Sequence, residues 1–254
     1  MRIFEIIGGV ILKYLAYIGE ITLLTAGAVK EIPKKIRPSQ ILGQMNHLGV
    51  NSFPIVSLTL LFTGMVLTLQ TASEFIRFGA QTAIGGVVAI AIGRELGPVL
   101  VAVVFAGRVG SAMTAEISTM KVTEQIDALK VMGVNPLGYL LVPRMLACMV
   151  MLPILTALGD FIGVLGGYIV AVYYSGVTHY IYISSIDSFM GMWDLIGGLI
   201  KSIFFGAEIA ILGSYYGMTA PEGAEGVGKA TTWSVVAAIF FIFFTNVLLS
   251  WILF

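Results

Sequence analysis

Charged side chains are scarce in this sequence of 254 residues. Asp, Glu, Lys and Arg make up only 11% of it, whereas soluble proteins carry about 25%. Hydrophobic residues reach 58%, and the mean hydropathy is +0.97. These values exclude a disordered chain, a solvated coiled coil and an ordinary soluble enzyme, and they predict an integral membrane protein with little mass outside the bilayer.

Cysteine and histidine are nearly absent as well. The single Cys148 excludes an internal disulfide framework or a cysteine-based metal cluster, and two histidines leave little scope for an imidazole metal site. Fourteen basic residues balance fourteen acidic ones, so no overall charge field favours nucleic acid as a partner. We find no serine nucleophile elbow and no catalytic carboxylate pair, so we expect a protein without enzymatic activity of its own.

Five stretches are apolar and long enough to cross a bilayer, which takes about 20 helical residues. They lie near residues 52–73, 83–107, 145–174, 195–217 and 232–254. The third run is long enough to be split, which would give six spans. With five spans, the 175–194 loop faces outward and contains no Lys or Arg, as the positive-inside tendency requires. We therefore predict an all-α membrane protein with five spans.

The basic residues set the predicted orientation. Eleven of the 14 Lys and Arg fall on one side, only Arg77 falls on the other, and Arg94 and Lys201 fall within spans. Because basic residues concentrate in cytoplasmic segments, the N-terminus is predicted inside and the C-terminus outside. The eleven are Arg2, Lys13, Lys30, Lys34, Lys35, Arg37, Arg108, Lys121, Lys130, Arg144 and Lys229.

The first thirty residues have the pattern of an amphipathic helix lying at the inner interface. A signal peptide is the alternative, because Ala26-Gly27-Ala28 resembles a cleavage site. Charged residues interrupt the apolar region that a signal peptide needs, so the interfacial helix is favoured. Its apolar side comprises Ile3, Ile7, Val10, Tyr14, Tyr17 and Ile21, and its charged side comprises Arg2, Glu5, Lys13 and Glu20.

Small residues recur at every fourth position in two of the spans. Such rows let helix backbones approach closely. Packing within one chain is the favoured interpretation, and contact with a second protomer is the alternative. The rows are Gly85, Ala89, Gly93 and Gly97 in one span and Gly159, Gly163 and Gly167 in the other.

The adjacent Arg94 and Glu95 are the most informative charges. A charge in mid-membrane costs about 2.5–3.5 kcal/mol on the insertion scale, and Pro98 disturbs the helix beside this pair. The pair therefore indicates either a site for a polar headgroup or ion, or a structural salt bridge between helices. The residues alone leave both interpretations open.

Three further charges fall within the predicted spans. We predict that Lys201 lies near a span end and extends its amine to the surface. Asp160 and Glu208 are predicted to pair across helices, with a proton relay as the alternative.

Residues 108–144 form the only substantial predicted cytoplasmic loop. Within it Val122, Ile126, Leu129 and Met132 recur at helical spacing, before Gly133 and Pro136 end the pattern. We predict a short amphipathic helix that docks on a soluble partner. A helix lying on its own spans is the alternative.

Residues 223–230 nearly match the phosphate-binding P-loop. Ala230 stands where that pattern requires Ser or Thr, no strand precedes it, and a span follows at once. We predict a flexible loop over residues 223–231, and ATP hydrolysis on a different chain.

The segment 93–144 carries a specific resemblance. It reads GRELGPVLVAVVFAGRVGSAMTAEISTMKVTEQIDALKVMGVNPLGYLLVPR. This block resembles the signature region of the MlaE (YrbE) permeases, and most of residues 45–254 is similar to that family. Further matches are FTGMVLTLQ at 62–70, the Gly166-Gly167 region, IKSIFFG at 200–206 and GKATTWSVV at 228–236. We expect one permease domain over 1–254, with the interfacial helix and linker at 1–37 and the permease core at 45–254.

The resemblance implies a function and an assembly. Family members are membrane subunits of ABC transporters that move phospholipids between the two membranes of a diderm envelope. The implied partners are a second permease copy, two ATPase subunits that carry ATP and Mg, and an outer ring of MCE-domain proteins. No cofactor is expected on this chain itself. It would be a multi-pass protein of the bacterial inner membrane, with a cytoplasmic N-terminus and a periplasmic C-terminus.

The resemblance also implies roles for individual residues. Arg94 and Glu95 match a charged pair that lines a lipid cavity between protomers, and 114–133 matches the coupling helix that contacts the ATPase. Positions near the cavity are Leu67, Gln70 and Phe78, and the expected ATPase contacts are Met120, Glu124, Gln125 and Asp127.

Two other functions compete with this interpretation. An ion-coupled secondary transporter would relay ions through Asp160, Glu208 and the Arg94-Glu95 pair, but five spans without a visible internal repeat disfavour it. An integral-membrane lipid enzyme would need a catalytic cluster at the interface, and the sequence contains no recognisable one.

Overall fold

The protein, seen in a computed structural model, is a helical bundle that agrees with the predicted all-α class. The structure describes residues 2–32 and 38–254, without the side chains of residues 2–8, 10, 11, 13 and 14. Five helices are long and apolar enough to cross a membrane: α2 (Pro38–Arg77), α3 (Gln81–Val122), α5 (Leu137–Tyr173), α7 (Met192–Met218) and α8 (Gly223–Leu253). Three other helices are α1 (Arg2–Glu31), α4 (Gln125–Val131) and α6 (His179–Phe189).

Three of the spanning helices are much longer than a bilayer requires. Helices α2, α3 and α5 contain 40, 42 and 37 residues, which at 1.5 Å per residue gives about 55–63 Å. The hydrocarbon core is only about 30 Å thick, so these helices extend beyond it. Helix α5 is continuous through Pro153, and the prediction of five spans rather than six is confirmed.

The two ends of the bundle are distinguished by their short helices. The α4 end contains α4, the last turns of α3 and the first turns of α2, α5 and α8. The α6 end contains α6, the first turns of α3 and α7 and the last turns of α8. In the orientation predicted from the basic residues, the α4 end faces the cytoplasm.

The core lies between α2, α3, α5 and α7, where Leu60, Phe105 and Phe205 are fully buried. Helices α2 and α5 approach most closely at Gly64, where a Cβ atom would overlap the carbonyl oxygen of Gly163. Both predicted rows of small residues pack inside the chain in this way. Gly97 lies against Asp160, and Gly167 lies against Thr68. The favoured interpretation of packing within one chain is confirmed.

Helix α3 is irregular where its charges lie. It contains two wide π-helical turns, Ile92–Leu96 and Ala106–Gly110. The first of these ends two residues before Pro98, which lacks the N–H that an α-helix would use. The predicted disturbance beside Pro98 is therefore confirmed, and Arg94 and Glu95 both lie on the widened turn.

Helix α1 docks on the α4 end of the bundle. The hydroxyls of Tyr17 and Tyr216 are 3.0 Å apart, and the Tyr215 hydroxyl donates to Glu20 Oε2 at 2.6 Å. Burial and the hydrogen bond to Tyr216 raise the pKa of Tyr17 above its ordinary value. Ala28, within the candidate cleavage site, is buried.

Several predictions about the N-terminal region lie outside the described residues. These are the linker over 33–37 and the side chains of Arg2, Ile3, Glu5, Ile7, Val10, Lys13 and Tyr14. The position of α1 at a membrane surface stays a prediction.

The prediction of a flexible loop over residues 223–231 is wrong. These residues form the first turns of α8. Glu225 and Lys229 form an ion pair of 2.7 Å across one turn, which favours a helix over a loop. Only Gly223, with φ +83°, retains a turn conformation.

The predicted coupling segment is divided into two pieces. Its first part continues α3 as far as Val122, and the chain then turns at Thr123 and Glu124 before α4 begins. Glu124 has a left-handed backbone with φ 58°, which breaks the helix. Gly133, with φ +72°, ends the second piece as predicted.

Only half of the predicted apolar face of this segment is covered. Ile126 is buried and Leu129 packs against the core, whereas Val122 and Met132 are exposed. The turn at Glu124 breaks the helical spacing between Val122 and Ile126, and Met132 lies just beyond the end of α4 at Val131.

Candidate functional site

An open groove between α2 and α3 contains two of the predicted lipid-site residues, Leu67 and Gln70. The groove has a volume of about 400 Å³. Most of its wall is apolar, and Gln70 adds an amide at one side. A mainly apolar surface with a few polar groups is typical of a binding site for an amphipathic molecule. Its lining residues are Phe62, Thr63, Val66, Leu67, Gln70 and Leu96.

Arg94 points away from this groove, towards α7 and α8. Its Nε donates a hydrogen bond of 2.7 Å to Asp194 Oδ1. Its guanidinium carbon lies 4.7 Å from the centre of the Phe254 ring, a cation–π distance. Its side chain keeps 38% of its surface exposed, so Arg94 is anchored without being enclosed.

Glu95 is held by a different set of partners. Its carboxylate accepts hydrogen bonds from Lys201 Nζ at 2.7 Å, Asn246 Nδ2 at 2.9 Å and Ser250 Oγ at 2.9 Å. Lys201 also donates to the Arg94 carbonyl oxygen and to Ser250 Oγ. We call Arg94, Glu95, Asp194, Lys201, Asn246 and Ser250 the charged network. It joins α3, α7 and α8 near the α6 end.

The charged network bears out one interpretation and corrects two predictions. Arg94 and Glu95 form salt bridges between helices, as one of the two open interpretations stated, because each pairs with a residue of α7. Lys201 does not extend to the surface but is completely buried. Asp194 belongs to the first turn of α7, and only 6% of its side chain is exposed, whereas the predicted outer loop over 175–194 includes this residue. Its partner is 100 residues away, so no local pattern pointed to this pairing.

Asp160 and Glu208 have separate surroundings, so the prediction that they pair is wrong. Glu208 Oε1 accepts a hydrogen bond of 2.5 Å from the Thr245 hydroxyl. Asp160 lies against Gly97, and its Oδ1 has no hydrogen-bond partner among residues 2–32 and 38–254.

The predicted lipid-site residues therefore fall into three places. Leu67 and Gln70 line the groove. Arg94 and Glu95 lie in the charged network, and Leu96 of the same π-helical turn reaches the groove. Phe78 follows the last residue of α2 and is 83% exposed, outside the groove lining. The predicted site residues do not include Phe62, Thr63 and Val66, although the FTGMVLTLQ stretch contains all three.

The predicted ATPase contacts lie in two different places. Glu124, Gln125 and Asp127 lie together and exposed at the α4 end, where Asp127 pairs with Lys130 at 2.8 Å. Met120 is half-buried in a pocket one helical turn away. The exposed group forms a polar surface that a partner can reach.

This surface is linked to the rest of the bundle through Lys121. Its Nζ donates a hydrogen bond of 2.8 Å to the carbonyl oxygen of Ala220, in the turn between α7 and α8. This hydrogen bond therefore joins the end of α3, next to the exposed group, to the α7–α8 turn.

Comparison with known proteins identifies the family. The family model described as Permease MlaE matches residues 41–252. A probable ABC transporter permease of Synechocystis is 48% identical over 220 residues, which cover 87% of this chain and 84% of that protein. A probable ABC transporter permease of Rickettsia typhi is 39% identical over 255 residues, which cover 100% of this chain and 98% of that protein.

A plant protein is also similar to this chain. The chloroplastic protein TRIGALACTOSYLDIACYLGLYCEROL 1 of Arabidopsis thaliana is 39% identical over 216 residues, which cover 85% of this chain and 62% of that protein. The family match includes nearly all of the five-helix bundle, with its groove, its charged network and its exposed α4 surface. This chain is therefore a member of the MlaE family of ABC transporter permeases.

Proposed function

We propose that this chain is the membrane subunit of a transporter that moves phospholipids between the inner and outer membranes of a diderm bacterium, powered by a separate ATPase. The observation that carries this proposal is that the apolar groove and the charged network share one π-helical turn of α3, with the Arg94 side chain facing α7 and α8. Leu96 lines the groove, and Arg94 and Glu95 precede it on the same π-helical turn. A phospholipid needs these two surfaces next to each other, one for its acyl chains and one for its headgroup.

The groove suits an acyl chain, because each buried methylene group contributes about 0.8 kcal/mol. Arg94 is the proposed partner of the headgroup phosphate. Its hydrogen bond to Asp194 uses Nε, and the partly exposed guanidinium can bind phosphate through its terminal nitrogens. Glu95 and Lys201 support this arrangement by fixing the backbone and side chains around Arg94.

A homodimer is the proposed assembly, with the lipid cavity between the two copies. Helix α8 supports this assembly, because only 11% of its most apolar 18-residue stretch is buried within one chain. Its exposed large side chains include Trp233, Phe240, Phe243, Phe244, Val247 and Trp251.

The remaining partners are proposed for the two ends of the bundle. Two ATPase subunits, which bind ATP and Mg, would contact the exposed α4 surface, and a ring of MCE-domain proteins would lie at the α6 end. The α4 end would then face the cytoplasm across the bacterial inner membrane, as the distribution of basic residues indicates. The name of the Arabidopsis relative is that of a galactolipid, which supports a lipid as the transported substrate.

The groove can be tested by filling it in the assembled transporter. Leu67→Trp would displace about two methylene groups of lipid, which costs about 1.6 kcal/mol and lowers transfer more than about tenfold. Leu69→Trp is the matched control, because Leu69 is exposed on the same helix but does not line the groove. The measurement is ATP-dependent transfer of labelled phospholipid from proteoliposomes that contain the whole complex. Undiminished transfer by an intact Leu67→Trp complex would count against the groove.

The same proteoliposomes distinguish the competing ion-coupled transporter. We expect transfer to stop without ATP and to continue when an ionophore dissipates the proton gradient. Transfer that needs the gradient but not ATP would favour the competing function.

A further inference from the structure

Arg108 is an exposed cation on the second π-helical turn of α3, far from the charged network. Its Nη1 donates a hydrogen bond of 2.6 Å to Ser52 Oγ on α2. None of the ion pairs among the described residues includes Arg108. A Cβ atom at Gly107 would meet nothing within 4 Å, so the space beside Arg108 is open. Because a guanidinium has five N–H donors, Arg108 keeps several of them for an external anion.

Ser52 fixes the position of this guanidinium. Ser52 is buried, and its hydroxyl donates a hydrogen bond of 2.6 Å to the carbonyl oxygen of Leu48. The oxygen that accepts from Arg108 is therefore held in place by its own helix. Arg108 is anchored through one nitrogen, and the rest of its guanidinium faces the open side.

Two separate apolar runs place Arg108 and Ser52 at the level of the inner headgroups. The apolar run of α2 begins near residue 52, and the run of α3 ends near residue 107. The hydrogen bond between Ser52 and Arg108 shows that these two boundaries coincide in space. In the predicted orientation this boundary faces the cytoplasm. A basic residue at an anionic membrane surface contributes about 1 kcal/mol of attraction to lipid phosphates.

Polar side chains lead along α2 from this boundary to the groove. Thr59, Thr63 and Gln70 follow Ser52 after about two, three and five helical turns, so all four residues share one side of the helix. We call these four residues the polar strip. Thr63 and Gln70 line the groove, and Thr59 is only half-buried. The polar strip therefore joins the inner boundary to the groove on the side of α2 that faces α3.

The length of a lipid matches the distance between the boundary and the groove. Phe62 lies at the inner end of the groove lining, about 15 Å along α2 from Ser52. Half of the hydrocarbon core is also about 15 Å thick. A phospholipid whose phosphate lies at Arg108 would therefore end its acyl chains where the groove begins.

We propose that Arg108, positioned by Ser52, binds the phosphate of a glycerophospholipid of the inner leaflet, and that the polar strip guides this lipid between the inner leaflet and the groove. The phosphate contacts the guanidinium nitrogens that Ser52 leaves unused. Arg94 lies about 21 Å away along α3, so the two arginines hold the headgroup at two successive positions. The guiding role rests on the proposed function, whereas the binding of lipid at Arg108 does not.

The test places a photo-crosslinking amino acid at Thr59 of the full chain, in its complex with the partner subunits. The complex is kept in detergent micelles that contain labelled phospholipid as a minor component, so that detergent covers the unselective surfaces. Leu58 is the matched control, because it is exposed at the same depth on another side of α2. One charge-assisted hydrogen bond corresponds to about a tenfold preference, so we expect about tenfold more lipid crosslink at Thr59. Equal yields at the two positions would overturn the proposal.

Variants of Arg108 separate lipid binding from a structural role. We expect Arg108→Gln to lower the crosslink at Thr59 about tenfold, and Arg108→Lys, which keeps the positive charge, to retain most of it. Arg77→Gln removes another exposed arginine of α2 and should leave the crosslink unchanged. An undiminished crosslink in Arg108→Gln would overturn the proposal. Equal losses in both Arg108 variants, with lowered unfolding temperatures, would also overturn it, because Arg108 would then only join α2 to α3.

Competitors identify the part of the lipid that is recognised. Unlabelled phospholipid is expected to displace the crosslink at Thr59, and diacylglycerol with the same acyl chains, which lacks the phosphate, is expected to leave it unchanged. Equal displacement by diacylglycerol would show that only acyl chains are bound. Displacement by inorganic phosphate would show a site for free phosphate, and a crosslink to a second permease copy or to the ATPase in place of lipid would show a protein interface. Each of these three results would overturn the proposal.

The crosslink is measured without ATP, so its outcome is separate from that of the proposed function. A complex that shows the crosslink but transfers no lipid with ATP would support binding at Arg108 and count against the proposed function alone. In the proteoliposome assay we expect Arg108→Gln to lower ATP-dependent transfer several-fold. Undiminished transfer by this variant would leave the proposed function intact and exclude the guiding role.

Discussion

The charged network and the exposed helix surfaces treat charge in opposite ways. Each end of the bundle contains an exception, because Glu116 and Arg144 join α3 and α5 at the α4 end, and Glu74 and Arg77 pair on the surface of α2 at the α6 end. At the α6 end, Arg94 pairs with Asp194 and Glu95 pairs with Lys201, so both ion pairs cross from α3 to α7. At the α4 end, Asp127 pairs with Lys130 and Glu225 pairs with Lys229, each within one exposed helix. The same chemical groups therefore join helices in the charged network and remain on the surface of α4 and of the first turns of α8.

This difference determines what each end can do. Removing one partner of a buried pair leaves a charge without compensation and costs about 3–5 kcal/mol, whereas an exposed pair contributes about 0–1 kcal/mol. The α6 end is therefore predicted to hold the spans in register. The α4 end retains charges that are free to contact a partner protein.

Lys201→Met should have the largest effect on stability. It removes the buried ammonium and leaves Glu95 with Asn246 and Ser250 as its hydrogen-bond partners. Because Glu95 is 40% exposed, we expect a loss near the lower limit, about 3 kcal/mol in the free energy of unfolding. The measurement is denaturant unfolding in lipid nanodiscs. Lys130→Met is the control at the α4 end, and equal losses in the two variants would remove the contrast between the ends.

Thr245→Val should have the next largest effect. The Thr245 hydroxyl donates to Glu208, and its loss leaves a half-buried carboxylate without that donor, which costs about 1.5 kcal/mol. Thr231→Val is the control, because its hydroxyl donates only to the nearby Gly228 carbonyl oxygen. The same unfolding assay compares the two, and a larger loss for Thr231→Val would contradict the prediction.

Glu124→Gly should stabilise the α4 end. Glu124 has a left-handed backbone, which costs a residue with a Cβ atom about 1 kcal/mol. Glycine adopts this conformation freely, so we expect a gain of up to about 1 kcal/mol in the free energy of unfolding. Ala128→Gly, in the middle of α4, should have the opposite sign, because glycine disfavours a helix interior. A loss of stability on Glu124→Gly would show that the side chain makes a contact that outweighs the backbone strain.

Asp127→Ala should have the smallest effect on stability, at most about 0.5 kcal/mol, because its pair with Lys130 is exposed. Its effect on transport should be larger if α4 contacts the ATPase. We expect the double variant with Gln125→Ala to lower ATP-driven lipid transfer several-fold while the chain remains folded, and Glu225→Ala to have little effect. Unchanged transfer in the double variant would remove Gln125 and Asp127 from the proposed contact.

Local patterns predicted the elements better than they predicted the contacts. The hydrophobic runs located all five spans, and Gly133 correctly ended the α4 segment. The glycine-rich 223–231 segment was mistaken for a loop, because the ion pair between Glu225 and Lys229 was not weighed against its glycines. Phe78 was placed with Leu67 and Gln70 by resemblance, but the turn after α2 leaves it exposed outside the groove lining.

The number of membrane helices follows from composition. An apolar run of sufficient length partitions from water into the bilayer whatever its neighbours are, and as a helix it satisfies its own backbone hydrogen bonds. The pairing of the buried charges does not follow from composition. Asp194 and Lys201 meet Arg94 and Glu95 only because Gly198 lets α7 approach the backbone of Gly93 on α3. This close approach brings together residues about 100 positions apart, and only the packing of the helices decides which charges form pairs.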